Sequence, residues 1–418
     1  MSSVLGFSLS RGVLNTSAPP IPKAYEWAAR YNETSSTPLI DMSQGVPGIP
    51  PPEELRQAIG EASASPQNFS YGRGDGEPVL RLALVDEMKA VYGLQADIKM
   101  EDVALTAGCN MAFVAVIMAL ADAGDEVILP FPWYFNHEMD LSLLGVKAIG
   151  LPTLPEDGFL PSIARCEELI TTKTKAIALV TPNNPTGAIY PPSLIASFAD
   201  LATEHRVPLI VDETYRDFVP PEEPPHTLFT PSDSYPWRRT FIHLFSFSKS
   251  YCLPGYRLGA IVASPEFLAS VKTVLDCLQI CPPRPVQLGL APLMPSLRSF
   301  VQANASAIQA RHALFREALP QGWEIGAQGG YFAFVRHPYT GIGGERLAQM
   351  LVEKEGLLAL PATFFMPTTA EGLGQAGDGY VAESELWLRF SVANVDDKTV
   401  LEACERLASF DAGSTYHL

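Results

Sequence analysis

Between about residues 100 and 265, short uninterrupted apolar runs alternate with helical patterns, and this alternation constrains the fold more than any other feature. The runs are Val103–Thr106, Glu126–Leu129, Ala176–Val180, Val207–Val211, Thr240–Phe245 and Leu258–Ala263; the helical patterns are Met111–Ala121, Ser193–His205 and Pro265–Leu278. Strands without polar alternation must be covered on both faces, which predicts an α/β fold with a mostly parallel sheet between helices. Further on, a helical pattern runs from Leu288 to about Ala318. It is followed by strand-like GGYFAFV at 329–335, a helix near Glu345–Glu355 and the strand LWLRFSV at 386–392. This second pattern predicts a smaller α+β domain. The expected division is a large ligand-binding domain over 51–300, with 1–50 and 301–418 forming an N-terminal arm and the small domain. The arm carries no strong period. Prolines cluster as GIPPPEEL, VPPEEPP and CPPRP between apolar patterned segments, which reads as rigid turns rather than a linker.

Parallel sheets of this kind bind ligands beyond the carboxyl ends of their strands, so the polar residues after each run form the candidate site. TPNNPTG (181–187) follows the third run. DETY, with Asp212 and Tyr215, ends the fourth. SFSKSYCLPGYRLG, with Ser246, Lys249 and Arg257, follows the fifth, and AGCNM, with Gly108, Cys109 and Asn110, follows the first and opens a helix. Singly, each has an ordinary reading. Asn-Pro-x-Gly makes turns, an Asp after a strand caps a helix, and a lone Lys is a solvated charge. A helix start with exposed amides also holds phosphate.

Order and spacing separate these readings. Asp212 stands 28 residues after Asn184, S-x-x-K follows as Ser246 to Lys249, and Arg257 lies eight after Lys249. This arrangement resembles the class I and II aminotransferases, pyridoxal-phosphate (PLP) enzymes of fold type I. Three further matches agree: Tyr71-GRGD-Gly76-EPV-Leu80-Arg81, Gly45-Val46-Pro47 and Arg389-Phe390-Ser391. The resemblance extends from about Gly45 to the end of the chain.

What it implies is an aminotransferase that moves an amino group between an L-amino acid and a 2-oxo acid. Lys249 would form the Schiff base with PLP and shuttle the proton. Asp212 would face the pyridine nitrogen, and Tyr215 and Asn184 the phenolic oxygen. Ser246, Arg257 and the amides of Gly108, Cys109 and Asn110 would hold the phosphate, and Tyr134, or adjacent Trp133, would stack on the ring. Arg389 would clamp the substrate carboxylate, with Asn184 and Gly45 beside it. Tyr71 would reach the site of a second subunit, making a homodimer. The same residues would equally serve a PLP lyase, a cyclase or a carbon–carbon bond-forming enzyme.

Composition restricts the partners. With 46 acidic against 29 basic residues, the net charge of −17 disfavours nucleic acid and anionic membranes as partners. Any anionic ligand therefore needs a local cluster of cations. Met111–Ala123, the longest apolar stretch, is too short to cross a bilayer, there is no secretory pattern, and six scattered cysteines without CxxC fit a reducing compartment. The expected location is cytoplasmic. No metal site is expected, since HEMDL (137–141) lacks a second histidine. Arg11 and Arg284 are loosely placed, so a second arginine for an acidic substrate side chain is not evident. Phe131, Trp133 and Phe135 are compatible with a large apolar one.

Overall fold

The computed structural model, which describes residues 6–220, 224–232, 235–367 and 377–411, contains two sheets and a short strand pair. After β1 (Ile40–Asp41), the chain builds one seven-stranded sheet. Its members are β2 (Val103–Thr106), β3 (Glu126–Phe131), β4 (Lys147–Pro152), β5 (Thr174–Val180), β6 (Leu209–Asp212), β7 (Phe241–Ser246) and β8 (Gly259–Val262). The spatial order is β2-β8-β7-β6-β5-β3-β4, and β8 runs antiparallel to the other six. Six of the seven were legible as apolar runs. β4 was not, because its short apolar stretch, Ala148 to Leu151, is broken by Gly150 and its first half is exposed or half-buried.

Alternation along the strands divides the apolar residues between two layers. Ile128, Ile177, Leu179, Leu209, Val211 and Phe241 enter one core cluster, whereas Val127, Ala176, Ala178, Ile210, Ile242 and Leu244 enter the other. Helices Glu53–Ala64, Pro78–Tyr92 and Pro192–His205 cover the first layer. Helices Cys109–Leu120 and Pro265–Leu278 cover the second. Burial of both faces is what the unbroken apolar runs demanded.

The remaining strands are β9 (Glu324–Gly329), β10 (Phe332–Arg336), β11 (Leu357–Leu358), β12 (Leu360–Pro361) and β13 (Trp387–Ser391). An antiparallel sheet takes the order β12-β13-β10-β9, while β1 pairs with β11. The strand-like segment at 329–335 straddles a hairpin turn: Gly330, with φ +53°, and Tyr331 separate β9 from β10. The helical pattern from Leu288 merges two helices, Arg284–Leu290 and Met294–Ala318, with a tight turn at Ala291–Leu293 between them. Pro292 and Pro295 supply no amide to a continuous helix there, which explains the break.

A third apolar cluster joins this second sheet to Trp27, Ile40 and Met42 of the N-terminal arm. The long helix spans both bodies, placing Met294, Leu297 and Val301 in the large core and Ala305, Ile308 and Phe315 in the small one. Phe334 and Trp387, stacked at 5.5 Å, turn from the small sheet into the large core beside Phe159. Among the described residues no helix is long and apolar enough to cross a membrane.

Candidate active site

The parallel strands end at one mouth of the sheet, and the expected residues follow from that fact. β2 leads to Gly108 and Cys109, β3 to Tyr134, β5 to Asn184, β6 to Asp212 and Tyr215, and β7 to Ser246 and Lys249. Because β8 is antiparallel, its beginning lies at the same mouth, which delivers Arg257. A cavity of about 250 Å³ opens there, and Gly45 and Arg389 reach it from the arm and from β13.

Asp212 sits at the cavity wall with both oxygens engaged. Oδ1 accepts from the Thr214 amide at 3.0 Å and hydroxyl at 2.7 Å, and Oδ2 lies 3.3 Å from Nε2 of His137. Burial alone would raise the carboxyl pKa, but the His137 and Thr214 interactions outweigh it and hold Asp212 below the usual carboxylate range. His137 is itself stacked on Phe113 at 3.9 Å. Sequence reasoning passed over this histidine by weighing HEMDL only as a metal motif. The usable signal was its place one turn into the helix that follows β3 at the ligand mouth.

Lys249 lies in the short helix Phe247–Ser250, whose start is capped by Ser246 Oγ accepting from the Ser248 amide. Its amine donates to the Gly45 carbonyl at 2.5 Å, and its own carbonyl accepts from the Tyr331 hydroxyl at 3.2 Å. The side chain remains partly accessible through the cavity, yet the surrounding protein desolvates the amine. That desolvation, with Arg257 and Arg389 adding repulsion, lowers its pKa from 10.5 to about 8. Tyr215 is buried and its phenol pKa is raised by that burial, so it stays protonated and able to donate.

Arg389 is buried between the rings of Phe332 and Phe365, at 4.4 and 4.7 Å. Its donors meet neutral oxygens: Oδ1 of Asn184 at 2.8 Å and the Ser43 carbonyl. Burial lowers its pKa to about 10, leaving it charged at neutral pH. The loop that offers Asn184 is braced by Asn183, whose Oδ1 accepts from the Thr186 amide and hydroxyl at 3.1 and 2.9 Å. Arg257 likewise donates to a neutral oxygen, the Pro254 carbonyl, at 2.9 Å. Lys249, Arg257 and Arg389 thus converge on one cavity, each bonded to a carbonyl or amide oxygen rather than a carboxylate. Such cations call for anions from outside the chain.

The donor set fits pyridoxal phosphate. Gly108 has φ +94°, and a Cβ there would lie 2.3 Å from Nη2 of Arg257, so backbone and guanidinium meet with no room for a side chain. The helix that opens at Cys109 presents its first amides to this point, a phosphate-binding arrangement. Cys109 Sγ lies 3.7 Å from Asp212 Oδ1, and burial raises its thiol pKa well above the ordinary value, so it is an inert wall. Tyr134 lines the cavity with its hydroxyl 3.3 Å from Asn110 Oδ1, whereas Trp133 is buried in the core behind it. Of the aromatic residues considered for a side-chain pocket, Phe135 lines the cavity; Phe131 joins Trp133 in the core.

Tyr71 does not line the cavity and is 79% exposed. Arg284 is held by Glu77 at 2.7 Å and by the Gln67 carbonyl at 3.2 Å, and Arg11 is exposed on the arm. At Gly45, a Cβ would fall 2.4 Å from Cζ of Phe332 and 3.1 Å from the Tyr215 hydroxyl. Gly45→Ala is therefore expected to lower kcat/KM by about 10²-fold through displacement of neighbours by an ångström or less. An unchanged circular dichroism spectrum with that loss is the expected pair of measurements; full activity would show that the site yields freely.

Comparison with known proteins agrees in family and fold. The profile described as aminotransferase class I and II matches residues 37–407. An aromatic-amino-acid aminotransferase 2 of Thermococcus litoralis is 26% identical, with 90% of this chain and 95% of the relative covered. An aspartate aminotransferase of Pyrococcus horikoshii is also 26% identical, with 96% of each covered. The structure of a single mutant of Thermus thermophilus aspartate aminotransferase superimposes with a TM-score of 0.83 at 25% identity, covering 96% of this chain and 99% of that one.

Proposed function

This chain belongs to the class I and II aminotransferases and is a PLP-dependent transferase of amino groups between amino and 2-oxo acids; we propose that Lys249, Asp212 and Arg389 carry its chemistry. The supporting observation is the convergence of these three side chains, two cations and a buried carboxylate, on one cavity at the strand ends. When bound, PLP supplies an aldehyde that links amines covalently and a ring that withdraws electrons from the substrate α-carbon. Arg257, Ser246 and the amides at Gly108, Cys109 and Asn110 would hold the phosphate, and Tyr134, which lines the same cavity, would supply the aromatic contact to the ring.

Asp212, kept ionised by His137 and Thr214, holds a proton on the pyridine nitrogen. Tyr215 and Asn184 donate toward the phenolic oxygen. Arg389 orients the substrate through its α-carboxylate, a planar paired recognition for which lysine is a poor substitute. Lys249 then moves a proton at the α-carbon, a task suited to an amine whose pKa lies near 8. The test is a two-step spectrum. A suitable amino acid is expected to discharge the absorbance of the lysine-linked cofactor, and a 2-oxo acid to restore it; product formation without that cycle would refute amino transfer.

We assign 51–300 to the cofactor-binding domain and 1–50 with 301–418 to the arm and small domain, supported by the sharing of one apolar cluster between Trp27, Met42 and the small sheet. A homodimer with Tyr71 at the neighbouring site is supported by the exposure of Tyr71 at 79%, Phe69 at 89% and Ile280 at 49%. A cytoplasmic location is supported by six free thiols.

A further inference from the structure

Among the described residues, the cavity's cations number three, and the proposed function assigns each: Lys249 to the cofactor, Arg257 to its phosphate, Arg389 to the substrate α-carboxylate. Apart from Asn184 and Gln44, the cavity beside Arg389 is lined by apolar side chains. Phe365 lies against the Arg389 guanidinium at 4.7 Å and against Phe135 at 5.7 Å, so Phe135 stands next to the carboxylate clamp. Val46, after Gly45, and Ile21, from the arm, line the same cavity. Ile21 is fixed there by its own helix. Tyr25, one turn later, accepts from Gln44 Nε2 at 2.6 Å and donates to Asp41 Oδ2 at 2.6 Å, binding that helix face to the segment after β1 that carries Gly45.

Arg11 is exposed and does not line the cavity, and the other cations of the flanking segments are paired. Lys23, two residues after Ile21, pairs with Glu345 at 2.6 Å. The arginines that would accompany Tyr71 into a neighbouring subunit are Arg73, paired with Asp75 at 3.1 Å, and Arg284, paired with Glu77 at 2.7 Å. A second substrate carboxylate would thus lose its hydration against Ile21, Val46 and Phe135 without gaining a counter-ion, a costly transfer. An apolar side chain would gain by burial on the same wall.

We propose that Ile21, Val46 and Phe135 form the side-chain subsite and select amino donors with an uncharged, apolar side chain over aspartate and glutamate. This rests on the aminotransferase reading of the site. The holoenzyme is expected to react with leucine, methionine or phenylalanine with kcat/KM about 100-fold above that for aspartate or glutamate. Ile21→Arg is expected to narrow that ratio at least about tenfold by supplying the missing cation.

Calorimetric titration of the holoenzyme with 3-phenylpropanoate and with succinate reads the same preference without turnover, and 3-phenylpropanoate is expected to bind more tightly. Equal or faster reaction with aspartate overturns the proposal, as does tighter binding of succinate or no binding of 3-phenylpropanoate. If no amino acid changes the cofactor absorbance, the aminotransferase reading fails, while the order of the two affinities still decides the subsite.

Discussion

Replacing Lys249 with alanine is expected to abolish turnover, with a loss of at least about 10⁴-fold in kcat, while the protein stays folded. The lysine contributes little to the core: it stands in a four-residue helix held by the Ser246 cap and by Tyr331 on its carbonyl, and both contacts survive truncation of the side chain. Borohydride treatment followed by peptide mass analysis should place the cofactor on Lys249 in the parent and nowhere in the variant. A covalent adduct on another lysine with activity retained would overturn the assignment. The amine also predicts a pH dependence. Its neutral form is the nucleophile, and its pKa of about 8 means that cofactor uptake by the apoenzyme should rise as pH increases through that value.

Stability follows by linkage. A base whose pKa falls from 10.5 unfolded to about 8 folded binds fewer protons in the folded state between those values, so folded stability rises with pH across that window. Below about pH 8 the full penalty of the buried charge is present. A Lys249→Met apoenzyme, which lacks the charge, is therefore expected to be the more stable protein below pH 8 and to lose that advantage by about pH 10.5. Parallel pH–stability curves for the two apoenzymes would contradict burial as the cause of the shift.

How much of this was legible beforehand depended on whether a residue's role is written locally. The placement of Asp212, Lys249, Asn184 and Arg257 at the ligand mouth was readable because each follows an apolar run, and a strand end fixes a residue's position there. Arg389 was readable through its similarity to R-F-S of the family and not through any period. The relation of Arg257 to the sheet was hidden, since nothing in GAIV tells an antiparallel strand from a parallel one. β4 escaped because only Gly150 and Leu151 of it are buried, whereas β2, the other edge strand, is buried throughout. His137 escaped because its meaning is a contact: its 3.3 Å approach to Asp212 joins residues 75 positions apart. The apolar wall was only half seen. Phe135 could be suspected beside Phe131 and Trp133, but Ile21 gains its place through packing of an arm that carries no strong period.

The contact between His137 and Asp212 gives the second large effect. Asp212→Asn is expected to lower kcat by at least about 10³-fold, because an amide keeps the size of the carboxylate without its charge and cannot hold a proton on the pyridine nitrogen. Amide oxygen can still accept from the Thr214 amide and hydroxyl, so the loop after β6 should keep its shape. Arg389 and its partners are also untouched, which separates this variant from one that damages substrate binding: affinity for a substrate carboxylate should stay within about threefold of the parent. A loss carried by KM instead of kcat would place Asp212 in substrate binding.

His137→Phe tests the support beneath it. Phenylalanine preserves the stack on Phe113 but removes the donor to Oδ2, and that donor is the foremost influence lowering the Asp212 pKa against burial. A depressed carboxyl pKa means that the charged form persists as pH falls and is lost only below the usual carboxylate range. Without His137, burial regains the upper hand and protonation should begin at higher pH. The acid limb of the kcat profile is therefore expected to move upward in His137→Phe, with a fall in kcat of about tenfold at neutral pH. An unmoved acid limb would show that Thr214 alone keeps the carboxylate charged, leaving His137 as packing against Phe113.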